Sequence, residues 1–129
     1  MLTWHDIQNH LQARYPVTLQ GPRQFLLTFS YPDQRSQMIR IEGFDALERE
    51  WLCVRTRVCA LANLAPQEAL LRNRELVIGH LCLEGDYYLL TRNYLLSTLD
   101  LPELELGMQV IARTADELES ALQGGADRY

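Results

Sequence analysis

Apolar residues recur along this chain at two periods, and the points where the period changes divide it into elements. Trp4, Ile7, Leu11 and Tyr15 are spaced by three or four and predict a helix with one buried face. Thr3 stands where its hydroxyl can accept from the amide of Asp6, whose negative charge also suits a helix N-terminus. Leu2 and Ile7 have the spacing of a hydrophobic staple. Pro16 ends the element, because a residue preceding proline disfavours the helical region.

Over residues 17–60 the period is two. Phe25, Leu27 and Phe29 alternate with polar neighbours, and Tyr31-Pro32-Asp33-Gln34 is a turn signal. A second strand carries Ile39 and Ile41 on one face and Met38, Arg40 and Glu42 on the other. A third strand follows in WLCVRTRVCA. On it Leu52, Val54, Thr56, Val58 and Ala60 oppose Trp51, Cys53, Arg55, Arg57 and Cys59. Short connections make an antiparallel meander the simplest topology.

Pro66 opens a short helix reaching about Asn73, with Leu70 and Leu71 as its expected apolar contacts. Two strands come next, in IGHLCLEGDYYLL. The last element begins at Asp100-Leu-Pro-Glu103, a capping box with proline in the first turn. Leu104, Met108, Ile111, Ala115, Leu118 and Leu122 then form a helical seam, each buried side chain worth about 1.5–3 kcal/mol. Gly124-Gly125 is expected to stop that helix and leave residues 124–129 as a frayed tail. The expected fold is a single α+β domain over 1–129: helix, three strands, short helix, two strands, long helix. Its antiparallel five-stranded sheet carries the helices on one face.

The chain has 129 residues and a formal net charge of −5, and 47% of its residues are hydrophobic. That length suits one core, and the acidic balance argues against nucleic acid as a partner. With no run of about 18 apolar residues, no membrane span is expected. The N-terminus reads as structure and not as a signal peptide. Cys53, Cys59 and Cys82 are an odd count without a CxxC pair, which suits reduced thiols and a cytoplasmic setting.

Candidate chemistry is sparse. His80, Cys82 and Asp86 lie within seven residues, and a small cysteine-dependent or redox enzyme using Cys82 and His80 is one reading. With Glu84-Gly85 as a two-residue turn, Leu83 would pair with Asp86 and Cys82 with Tyr87. Asp86 then falls on the opposite face from His80 and Cys82, so no relay assembles inside the hairpin. Neither CxxC nor HExxH offers a metal site, and no glycine-rich phosphate loop or hydrolase elbow occurs. No cofactor is expected. The face carrying Trp51, Arg55 and Arg57 admits two readings. It is a half-exposed sheet surface on which Trp51 covers arginine stems, or a partner-binding surface, with Met38 and Ile39, on the two faces of the adjacent strand, as additions.

Leu70-Leu71 with Asn73, then Gly79, Leu81, Leu83, Gly85-Asp86 and Leu89 complete the picture, with the segment 95–99, Ala115-Asp116 and Leu118. In this pattern and element order the chain resembles the type III secretion chaperone-like superfamily, the Tir-chaperone and YbjN-like proteins. The match is strong over residues 69–122 and topological before that. The resemblance implies a small acidic cytoplasmic bacterial protein, commonly a homodimer, without catalysis. It also implies recognition of an extended client segment by strand addition and side-chain pockets.

Overall fold

The computed structural model describes residues 1–32 and 35–122. Helix α1, Trp4–Arg14, starts at a capping box: Thr3 Oγ1 accepts from the Asp6 amide at 3.2 Å, and Asp6 Oδ2 accepts from the Thr3 amide at 2.9 Å. Strands β1 (Val17–Gly21), β2 (Gln24–Ser30), β3 (Ser36–Ala46) and β4 (Arg49–Ala60) follow. After a 3-10 turn at Leu61–Asn63 come α2 (Pro66–Asn73), β5 (His80–Glu84) and β6 (Tyr87–Leu95). A second 3-10 turn at Leu96–Thr98 leads into α3, Leu101–Leu122. Asp100 Oδ1 accepts from the Glu103 amide at 2.8 Å and caps α3 as expected.

All strand pairs are antiparallel, in the order β1-β2-β3-β4-β6-β5. The sheet has six strands where the residue pattern predicts five. The extra one is β1, whose Thr18 and Gln20 are exposed, so its apolar alternation is too short to register alone. The meander β2-β3-β4 is present. Beyond it the chain does not add strands in order, because β6 takes the place beside β4 and leaves β5 at the edge.

One face of the sheet carries the core. Ile7 and Leu11 of α1 and Leu104, Met108, Ile111, Ala112 and Ala115 of α3 join Phe25, Leu27, Ile39, Ile41, Leu52, Val54, Leu81 and Leu90 in a single buried cluster. Leu118 and Leu122 pack against it half-buried, which completes the α3 seam. On α2 it is Ala69 that is buried, while Leu70 and Leu71 are exposed at 69% and 53%. The short helix meets the edge of the sheet and turns its leucines outward, contrary to the expected contacts. Tyr94 reaches from β6 to α3 so closely that a side chain at Gly107 would overlap its hydroxyl. That contact dictates the glycine inside the helix.

Two register details differ from expectation. A bulge between Arg57 and Cys59 breaks the alternation of β4, so both Val58 and Cys59 enter the core cluster. The β5–β6 turn is Gly85-Asp86, not Glu84-Gly85, since Glu84 pairs with Tyr87 and Cys82 with Leu89. Gly85 supplies the positive φ of 62° that the turn requires. Of the expected β2–β3 turn, Asp33 and Gln34 lie outside the described residues, as does the tail beyond Leu122 with its Gly124-Gly125 stop. The connection is closed by the Tyr31 amide donating to the Arg35 carbonyl at 2.9 Å.

Candidate partner-binding surface

The face of the sheet opposite the core cluster is built from alternate positions. These are Met38, Arg40, Glu42 and Phe44 of β3, Trp51, Cys53, Arg55 and Arg57 of β4, Leu89 and Thr91 of β6, and His80, Cys82 and Glu84 of β5. Arg40 stands directly opposite Arg55, Arg55 opposite Thr91, and Thr91 opposite His80, giving one cross-strand row. Like charges facing each other across neighbouring strands are destabilising unless bridged. Glu84 bridges these: its carboxylate lies 3.3 Å from Arg40 Nη2 and 3.1 Å from Arg55 Nη1. Glu42 Oε2 lies 3.5 Å from Arg55 Nη2. Among the described residues Arg57 pairs with no carboxylate, and its guanidinium sits 4.0 Å over the Tyr87 ring.

Cys53 and Leu89 are only 4% and 3% exposed although the core cluster's helices lie on the other face; in the register Cys53 stands beside Glu42, and Leu89 lies between Arg57 and Cys82. Trp51 is half-buried, stacked on Phe44 with centroids 6.5 Å apart, and its indole N–H donates to the Ala46 carbonyl at 2.7 Å. Trp51, Arg55, Arg57 and Met38 thus share one surface. Ile39 does not: it is fully buried beneath the helices, because adjacent residues of a strand point to opposite faces. Glu84, which ties the surface together, is the residue the sequence reading missed. Its only signal in the sequence is a carboxylate flanking a glycine turn, which the residue pattern assigns to the turn itself.

The hairpin thiol is shaped by burial. Cys82 and His80 share a face, but burial pushes the Cys82 thiol above its ordinary pKa, with the nearby Arg55 opposing. A catalytic thiol requires the reverse. Burial likewise raises Cys59. Asp86 lies in the turn, where its carbonyl accepts from the Leu61 amide at 2.7 Å.

The edges of the sheet are unequal. At β5, Asn73 of α2 clips the backbone of Leu81: Oδ1 accepts from its amide at 2.7 Å and Nδ2 donates to its carbonyl at 3.4 Å. That occupies polar groups which an added strand would need. Strand β1 forms the other edge of the sheet, paired on its inner side with β2.

Chains in two solved complexes share the fold. A chain in the crystal structure of the ExsC–ExsE complex superposes with a TM-score of 0.57 at 16% identity, over 75% of both chains. A chain in the structure of the HopA1–SchA chaperone–effector complex gives 0.59 at 13% identity, over 84% of both. The fold is type III secretion chaperone-like. No protein-family model and no curated protein sequence matches the chain. No helix among the described residues is long and apolar enough to cross a membrane.

Proposed function

We propose that this chain is a non-enzymatic, chaperone-like module that recognises an extended segment of a partner protein. The observation that carries the reading is a sheet that, among the described residues, is covered by helices on one face, with Trp51, Arg55, Arg57 and Met38 together on the other. A β1 edge without the clip that Asn73 places on β5 favours strand addition there, main-chain bonds giving affinity and alternate side chains specificity. The likeness to a chaperone–effector complex supports the same reading. The raised thiol at Cys82 speaks against the redox alternative.

A cytoplasmic setting and a homodimer belong to this proposal. Exposed Leu70, Leu71, Val77 and Leu83, all on or near α2 and β5, favour self-association.

Capture of proteins on the immobilised chain tests the reading: a specific polypeptide is expected, and it is lost on Trp51→Ala or Arg55→Ala. A monomeric protein that captures nothing overturns it. Thiol titration separates the alternative, because a Cys82 thiol of low pKa that is lost on His80→Ala would favour an enzyme.

A further inference from the structure

The bare face is cationic on an otherwise acidic chain. Arg40, Arg55 and Arg57 meet two carboxylates, Glu42 and Glu84, whereas the whole chain carries −5. We propose that this face binds an acidic extended segment of a partner. Its carboxylates take the place of Glu84 between Arg40 and Arg55 and pair with Arg57. The proposal rests on the reading above and names the partner's chemistry.

Three features of the surface support it. First, Arg57 carries a full charge with no carboxylate partner among the described residues, held over Tyr87, which leaves its hydrogen-bonding edge for a ligand. Second, Arg55 divides Nη1 and Nη2 between carboxylates on two different strands, Glu84 of β5 and Glu42 of β3, the latter at 3.5 Å, so a partner carboxylate can compete for the same guanidinium. Third, Glu84 is the more exposed of the two carboxylates, its side chain 49% exposed against 32% for Glu42, at the end of an edge strand beside Gly85. Ion pairs of a half-exposed carboxylate are weak, so exchange for a partner carboxylate is nearly balanced electrostatically. Met38 is 50% exposed and Tyr87 40%, which leaves apolar area beside the charges to contribute to affinity. Strand periodicity matches: in a segment alternating acidic and apolar residues every acidic side chain points the same way, so one side of the segment meets the arginine row.

The test uses the full chain and three labelled peptides of equal length, alternating leucine with glutamate, glutamine or lysine, read by fluorescence anisotropy. The glutamate peptide is expected to bind, and to bind roughly tenfold more weakly as salt is raised, as screening removes the attraction. Arg57→Gln should weaken it roughly three- to tenfold, and Glu84→Gln should tighten it by a similar factor by releasing Arg40 and Arg55. Circular dichroism of each variant separates loss of binding from loss of fold. Failure of the glutamate peptide to bind the folded wild-type chain overturns the proposal, as does an unchanged affinity in Glu84→Gln. Equal binding of the glutamine peptide, lost on Trp51→Ala, overturns the acidic preference and leaves the contact surface standing. Sedimentation of Glu84→Gln covers the remaining occupant: self-association through this face would mean that a second copy, not an acidic segment, fills it.

Discussion

Tyr15 at the end of α1 donates its hydroxyl to Glu105 of α3 at 2.7 Å, and this contact ties together the two helices that cover the sheet. The other carboxylate oxygen lies 2.9 Å from Arg14 Nε and 3.0 Å from His10 Nε2. Three residues of one helix thus converge on a single acidic side chain of the other. Glu105→Ala removes that focus and leaves the part-buried Tyr15 hydroxyl without its acceptor. Urea unfolding should show a loss of about 1–3 kcal/mol, with Glu105→Gln milder because it still accepts from Tyr15.

The same contact sets an alkaline limit. Burial, with the hydrogen bond and charge of Glu105 adding to it, raises the Tyr15 pKa from 10.0 to about 12. As pH rises the unfolded chain therefore releases this proton before the folded chain does. The stabilisation is complete below pH 10.0 and is lost progressively towards about 12. Tyr15→Phe should remove this component of the decline, as read by denaturation midpoints across that range.

Gly107 should resist the usual helix-stabilising change. Glycine to alanine inside a helix normally gains about 1 kcal/mol. Here the added methyl overlaps the Tyr94 hydroxyl, and overpacking of this kind costs about 1–3 kcal/mol. Gly107→Ala is expected to lower the melting temperature. Adding Tyr94→Phe should recover part of the loss, and a double-mutant cycle gives the coupling directly.

The β3–β4 turn stores strain away from the cationic row. Leu47 and Glu48 hold positive φ values of 53° and 60°, a conformation that costs a residue with a side chain roughly 1–2 kcal/mol. Replacing them with Asn-Gly, the preferred pair for such a turn, should raise the melting temperature. Peptide affinity should not change, since neither residue contributes to the surface around Arg55 and Arg57.

Much of the fold was legible because its signals are local. The Thr3 cap, the stripe ending at Pro16 and the α3 seam each lie within a few turns of chain, and the alternation in β2, β3 and β4 predicts their pairing as a meander. The signal failed where neighbours in space are distant in sequence. Strand β1 has too few apolar positions to declare itself. The Val58 bulge and the Gly85-Asp86 turn each shift a register by one residue, which alternation alone cannot detect. The surface shows the same division: Trp51, Arg55 and Arg57 were legible as one face, while Glu84, arriving from an edge strand two places away, was not.

By itself the sequence determined the elements, their order and which side chains share a face, because periodicity and capping are written in neighbouring residues. Only the tertiary structure decided which face of the sheet the helices cover. That choice buried Ile39 and left Met38 outside, since consecutive strand residues point in opposite directions. It also decided that β6 enters between β4 and β5 and brings Glu84 within reach of Arg40 and Arg55. Ion pairs across several strands depend on sheet order, and sheet order depends on the packing of the whole core.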